Sequence, residues 1–414
     1  MKQDKALEIL KQGHHVFLTG AAGTGKTFLL NEYINHLKDE FVTVGITAST
    51  GIAATHLNGV TIHSWAGFGI KDELTQEDIQ KLLKKNYLHS RFEDTEVLII
   101  DEVSMLHAHQ LDMVDQVCRS FKQNDMPFGG IQLVLCGDFF QLSPVRKDYE
   151  RSKFVNESYV WNKMDIKICY LDKQYRQADK KFLKILSEIR SNSISAQSLQ
   201  LLEGRIDQTF KKGIQRTKLY THNRDVDAIN SFELDKINEE PKVYQMTHKG
   251  IDALISGLKR NCLAHETLIL KKGALVMFVK NGFGKGYVNG TLGEVIDFDE
   301  DNYPIIKTYS GKKILATPTS WKIEENDEVK AEINQIPLRL AWAITVHKSQ
   351  GMSLDAAEID LSKTFTHGMG YVALSRVKSL KGIKLIGINR LATQVDPYIQ
   401  KLDQELKWAS EEME

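Results

Sequence analysis

Apolar bursts and amphipathic stretches alternate through the first third of the chain. Four bursts, HVFLTG (15–20), VTVGIT (42–47), EVLIID (96–101) and IQLVLCGD (131–138), are short and rich in β-branched residues and Leu. Runs apolar throughout fit strands buried on both faces of a parallel sheet. Helical spacing of apolar positions fills the gaps, as in Lys26–Leu37 and Leu106–Lys122. Strands alternating with helices predict an α/β domain.

The same texture resumes near Tyr170. KFLKILSEIR (181–190) and NRDVDAINSFELDKI (223–237) are amphipathic helices, and TKLYT (217–221), AAEIDL (356–361) and IKLIGI (383–388) read as strands. Between them, residues 268–336 are short strands broken by Gly, Asn and Asp, the pattern of a small antiparallel β-barrel. A charged helical insert occupies 70–91. The expected plan is a first α/β domain over 1–170 carrying that insert. A second domain over 171–267 and 337–414 is interrupted by the barrel.

Composition narrows the class. The 414 residues are 42% apolar and 26% charged, which excludes a disordered or fibrous chain. Lys+Arg and Asp+Glu both number 54, so the surface has no uniform basic coat and a nucleic-acid footprint would be a local groove. Cys118, Cys136, Cys169 and Cys262 form no C-x-x-C pair. They read as free buried thiols of a reducing compartment. MKQDKALEILKQGHH has no long apolar core, and no apolar run reaches the ~18 residues of a membrane span. A cytoplasmic location, nucleoid-associated in a bacterium, is expected.

Gly20-Ala-Ala-Gly-Thr-Gly25-Lys26-Thr27 is a complete G-x-x-x-x-G-K-T phosphate loop between a strand and a helix. Its backbone N–H groups and the helix N-terminus favour bound phosphates. Gly20, Ala22, Gly23, Thr24, Gly25 and Phe28 are expected beside the nucleotide. Lys26 is expected to reach the β- and γ-phosphates, and Thr27 to bind Mg²⁺. LIIDEVSM (98–105) delivers Asp101 and Glu102 to a strand end, where ligands of open α/β sheets bind. Asp101 is expected to hold Mg²⁺ and Glu102 to activate the attacking water. LCGDFFQLSPV (135–145) adds Asp138 and Gln141, the latter a γ-phosphate sensor. Hydrolysis also needs positive charge at the transferring phosphoryl group, and an arginine finger contributes ~10³–10⁵ in rate. The first region offers no obvious candidate near its motifs; the second offers Arg176 in LDKQYRQAD and Arg376 in YVALSRVKS.

The ordered series of P-loop, DEVSM, GDFFQLSP, QYRQ, VHKSQG and ALSR resembles the superfamily-one helicases. ITASTGIAATHLNGVTIHSWAGFG (46–69), LDMVDQVCRSFKQNDMPFGGIQ (111–132) and AWAITVHKSQGMSLD (341–355) narrow the resemblance to the type-B, PIF-family branch, from about Gln3 to Ile388. The resemblance implies two RecA-like domains with ATP between them and 5′→3′ movement along single-stranded DNA with duplex unwinding. It implies that Gln3 reads adenine, that Gln350 and Gly351 join the nucleotide site, and that 70–91 is a wedge. Tailed or forked duplex is the implied partner, a monomer the implied state; G-quadruplex and RNA–DNA hybrid stay open as substrates.

Single strands are held by polar or basic grooves and aromatic stacking faces. Thr47, Ser49 and Thr50 sit at a strand end, followed by His63, Trp65 and Phe68 in a loop of small residues. Thr345, His347 and Lys348 form a second polar set, and by resemblance both sets line the DNA path. Two basic clusters, Lys84/Lys85/Arg91 and Lys211/Lys212/Arg216/Lys218, read as solvated faces or nucleic-acid contacts. A helicase is the favoured function. A translocase that strips proteins from single strands with little unwinding is the alternative. A P-loop kinase or nucleotide switch would leave the motifs of the second half unexplained.

Overall fold

Six parallel strands build the first sheet: β1 (Val16–Gly20), β2 (Val44–Ala48), β3 (Val60–Thr61), β4 (Val97–Asp101), β5 (Gln132–Cys136) and β6 (Lys167–Leu171). Their spatial order is β3-β2-β4-β5-β1-β6. The structure is a computed structural model. It describes the chain except residues 58, 70, 145–152, 207, 209–216, 221–222, 281, 283–285, 288–290, 309–310, 326–327, 347–348, 350–352, 355 and 414. Of 52, 55–56, 217, 223–225, 260–261, 323–325 and 328 it describes the backbone alone.

β1 and β4 are buried at every position, as continuous apolar runs require. Helices α1 (Gln3–Lys11) and α2 (Lys26–Asp39) close one face, where Leu10, Leu29, Leu30 and Tyr33 meet Val16, Leu18, Ile99 and Val134. The pairing aligns the strand ends that carry chemistry: Ala48 is level with Asp101, and Gly20 with Leu171. The charged insert folds as helices Gln76–Leu83 and Asn86–Asp94. Thr75 and Asp78 form a capping box at its start, and Phe92 stacks on Phe121 with centroids 4.5 Å apart.

The chain divides into two units. The first comprises Met1–Ala178, Arg190–Asn192 and Val395–Glu414; the second comprises Asp179–Ile189 and Ser193–Gln394. Two expected boundaries are corrected. β6 pairs with β1 along its whole length, so the first unit runs beyond residue 170. The C-terminal helix Pro397–Glu411, expected in the second domain, packs on β6 instead. Ser410 Oγ accepts from the Tyr170 amide at 3.0 Å, and the Tyr170 hydroxyl donates to Asp403 at 2.8 Å.

The second unit holds a four-stranded parallel sheet in the order Ala343–Thr345, Thr217–Tyr220, Ala357–Leu361, Ile383–Ile388. The expected 268–336 barrel is divided, among the described residues, between antiparallel sheets; the five-stranded one, around Val276, Phe278, Val295, Ile306 and Leu338, takes in Leu338–Leu340 beyond the expected boundary. The antiparallel region also draws in residues before 268. Lys242–Gln245 pairs with Thr267–Leu270, and Thr247–Gly250 with Glu328–Gln335. Those two early strands are half to fully exposed, so they carry no apolar signal. Among the described residues no helix is long and apolar enough to cross a membrane.

Candidate nucleotide and nucleic-acid site

The phosphate loop is tightly self-bonded. Gly20, Gly23 and Gly25 have φ of 139°, 91° and 84°, and Gly25 caps α2 in the left-handed region that glycine occupies without steric cost. A Cβ on Gly23 would lie 2.7 Å from Arg176 Cβ and 2.9 Å from Gln174 Oε1, so no larger residue fits. Lys26 Nζ donates to the carbonyls of Gly20 at 2.8 Å and Ala21 at 3.2 Å, and the Thr24 hydroxyl donates to Ala21 at 2.9 Å. Gln3 Nε2 donates to the carbonyls of Thr24 and Gly25 at 3.2 and 3.4 Å, so Gln3 buttresses the loop directly. Ala22 is buried, whereas Thr27 and Phe28 are exposed.

At the end of β4, Asp101 is buried and its Oδ1 accepts the Glu102 amide at 2.8 Å. Burial, then the charge of Glu102, pushes the Asp101 carboxyl up to about 7; the Cys136 thiol, the Glu102 amide and Lys26 pull it down. Among the described residues no three His, Cys, Asp or Glu side chains converge as a metal cage. Glu102 has φ of 53°. Left-handed backbone at a non-glycine residue costs about 1–3 kcal/mol and clusters at active sites.

Gln141 is buried after β5, its Nε2 3.4 Å from Asp138 Oδ2. Asp138 is a salt-bridge partner: both of its oxygens accept from Arg190 Nη1 at 2.9 Å. Sequence gave no sign of this pairing, because nothing in an amphipathic helix ending at Arg190 names a partner 52 residues upstream.

The arginine expectation is corrected in one respect. Arg176 belongs to the first unit, not the second, and packs on the phosphate loop; the Tyr175 amide donates to the Gly23 carbonyl at 2.9 Å. Arg376 lies in the second unit, buried, with Nε donating to the Val372 carbonyl at 3.2 Å.

The expected nucleic-acid residues separate into two groups. Thr47 is fully buried and its hydroxyl donates to the Ile99 carbonyl at 2.7 Å, so it is spent inside the sheet. Trp65 and Phe68 are 4% and 5% exposed. Trp65 meets Phe92 edge to face at 4.7 Å, and Phe68 meets His63 at 5.7 Å. Both rings are core residues here, which corrects the stacking expectation. Arg91 secures this loop by donating to the Trp65 carbonyl at 2.6 Å. Thr50 and His63 are half-buried near the strand end, whereas Ser49 is buried. Thr50 Oγ1 caps the Ala53 amide at 3.2 Å, and Ser49 Oγ donates to the Glu102 carbonyl at 2.6 Å. Burial lowers the His63 pKa, with His107 and His109 adding to it and Gln110 and Asp72 opposing. Thr345 is buried at a strand end of the second unit. His347, Lys348, Gln350 and Gly351, with Lys211, Lys212 and Arg216, lie outside the described residues.

A phosphate loop and an acidic strand end on one parallel-sheet edge define a P-loop NTPase. The PIF1-like helicase description matches residues 3–212, and that of the Pif1 2B domain matches 253–298. An ATP-dependent DNA helicase Pif1 from Psychrobacter sp. is 46% identical, the alignment covering 98% of this chain and 71% of the relative. A PIF1 helicase from Xenopus laevis is 36% identical over 96% of this chain but 63% of its own, so the chain spans about two thirds of these relatives. The crystal structure of Bacteroides sp. Pif1 with ADP-AlF4 superposes with a TM-score of 0.85 at 31% identity, covering 98% and 96% of the two chains. A Bacteroides Pif1 structure with bound single-stranded DNA is similar too, with a TM-score of 0.67, 30% identity and coverage of 99% and 97%. The chain belongs to the PIF1-like helicase family and has its two RecA-like domains.

Proposed function

We propose that this chain hydrolyses ATP to move 5′→3′ along single-stranded DNA and unwind duplex. One observation carries the reading: the Ser49–Thr50 strand end is hydrogen-bonded to Glu102 on the sheet edge that holds the phosphate loop. The segment read as DNA-contacting is thereby tied to the backbone of the residue read as the general base. The Bacteroides relative's complexes with ADP-AlF4 and with single-stranded DNA support both ligands.

In the proposed cycle the loop amides and Lys26 bind the phosphates, Lys26 exchanging the carbonyls of Gly20 and Ala21 for phosphate oxygens. Glu102 accepts the proton of the attacking water, and Gln141 orients that water against the γ-phosphate. Arg176 supplies charge beside Gly23; Arg376 enters as a second finger by its motif alone. Thr27 and Asp101 would hold Mg²⁺, which would supply positive charge to the phosphates during transfer. Gln3, already on the loop, reads adenine. Ser49, Thr50 and His63, with Thr345, His347 and Lys348, contact the DNA backbone. Tailed and forked duplexes are the substrates, with G-quadruplex and RNA–DNA hybrid as further ones, and the chain acts as a monomer in the reducing cytoplasm.

The test is strand displacement with Mg·ATP on two duplexes differing only in the polarity of their tail. Displacement from the 5′-tailed duplex alone is expected. Displacement from the 3′ tail alone would overturn the direction. DNA-stimulated ATP hydrolysis with neither duplex opened would replace the helicase with a protein-stripping translocase.

A further inference from the structure

Asp138 and Asp403 lie 265 positions apart in the sequence, yet one guanidinium joins them. Arg190 Nη1 bonds both oxygens of Asp138 at 2.9 Å, and its Nη2 bonds Asp403 Oδ1 at 3.1 Å and the Tyr170 hydroxyl at 3.0 Å. Phe140 lies under the guanidinium at 4.0 Å. Lys407, one turn beyond Asp403, holds its other oxygen at 2.6 Å. Two carboxylates and two cations thus balance in a largely buried cluster, the arrangement that makes burial of ions tolerable. Arg190 is also where the chain rejoins the first unit after Asp179–Ile189.

The cluster bears on the sensor. Asp138 Oδ2 accepts from the Gln141 side-chain amide at 3.4 Å, and Oδ1 from the Phe140 amide at 3.2 Å. Holding the amide nitrogen of Gln141 turns its carbonyl oxygen away from Asp138. With Arg190 gone, Asp138 would be a buried carboxylate lacking its cation and would take up a proton or leave its place. Either change releases Gln141.

We infer that Arg190 is a positioning residue for Gln141, and that Asp403 on the C-terminal helix holds Arg190 in register, which makes that helix a working part of the ATPase. The inference rests on the function proposed above. Once Gln141 is fixed by Asp138, Asp138 by Arg190 and Arg190 by Asp403, loss of any member lowers turnover through Gln141 and leaves nucleotide affinity alone.

The experiment measures ATP turnover with saturating oligo-dT for Asp403→Asn, Tyr170→Phe and Gln141→Ala, singly and combined. Asp403→Asn is expected to lower kcat about tenfold with KM for ATP within about twofold, the signature of an interaction lost in the transition state. On the Gln141→Ala background it should lower kcat no further, a non-additivity that residues acting through one another show. If Asp403→Asn does not fold, Tyr170→Phe removes the hydroxyl's two bonds, to Asp403 and from Arg190, at nearly constant volume while leaving the Arg190–Asp403 pair, and should show a smaller loss of kcat with the same non-additivity. Unchanged kcat in a folded variant, or an undiminished loss on top of Gln141→Ala, would overturn the inference. A wild-type protein that does not hydrolyse ATP would overturn the function and the inference together.

Discussion

Ser49 donates its hydroxyl to the carbonyl of Glu102 at 2.6 Å, while the amide of the same Glu102 is held by the Asp101 carboxylate at 2.8 Å. The peptides on both sides of Glu102 are therefore hydrogen-bonded where its backbone is left-handed, the carbonyl also accepting the Met105 amide at 3.2 Å. Ser49→Ala removes one of these bonds. A net hydrogen bond contributes about 0.5–1.5 kcal/mol, so DNA-stimulated kcat is expected to fall roughly two- to tenfold. Steady-state ATPase with and without oligo-dT checks this; an unaltered stimulation ratio and kcat would separate Ser49 from the chemistry.

Lys26 and Glu102 should part binding from turnover. Lys26→Ala is expected to abolish nucleotide binding or turnover, since Lys26 is the cation that stands on the loop carbonyls. Glu102→Gln keeps shape and loses the proton acceptor, so a fluorescent ATP analogue should still bind while ADP release stops. Near-normal turnover in that variant would remove Glu102 from the mechanism. Chelation of divalent cations with EDTA should stop hydrolysis in the wild type.

Trp65→Ala tests whether the ring is core or platform. A buried Trp truncated to Ala costs about 3–5 kcal/mol, which urea unfolding would read as a large fall in midpoint. Unchanged stability with weakened oligo-dT binding would return Trp65 to the DNA path.

His15 gives the first unit a pH dependence. Its Nδ1 accepts the Leu133 amide at 3.0 Å, and burial lowers its pKa, with His14 adding to it and Asp165 opposing. The folded state therefore prefers the neutral ring. That contribution to stability is complete above the unfolded value near 6.5 and is lost as pH falls from there through the lower folded value. Melting temperature should drop between about pH 7 and pH 5. His15→Gln, which keeps an acceptor without a proton to gain, should flatten the profile. An identical slope in both proteins would remove His15 as the cause.

Where local chemistry dictated structure, the sequence was a good guide. The strand before Gly20, the glycines and the helix from Lys26 follow from backbone demands within a dozen residues. The same holds for Asp101 and Glu102, placed by an apolar strand that can end only at the sheet edge. What escaped depended on distant partners. Trp65 and Phe68 look like exposed aromatics among small residues, and only Phe92 and the insert behind it make them core. Thr47 looks available for phosphates until the neighbouring strand supplies the Ile99 carbonyl. Arg176 looked like the start of a second domain because β6 ends just before it, and nothing nearby says that its Cβ rests on Gly23. The helix Pro397–Glu411 has an ordinary amphipathic pattern, which tells that it packs but not on what.

That last helix sets an order on biosynthesis. Tyr170 and Asp403, which meet across the β6 surface, are 233 residues apart. At translation speeds of ~5–20 residues per second, roughly 10–50 s pass between them on the ribosome. Throughout that interval β6 lacks its cover and Arg190 lacks Asp403. The phosphate loop is translated long before the helix that covers β6, so a nascent chain completes that face of the sheet only after Asp403 has emerged.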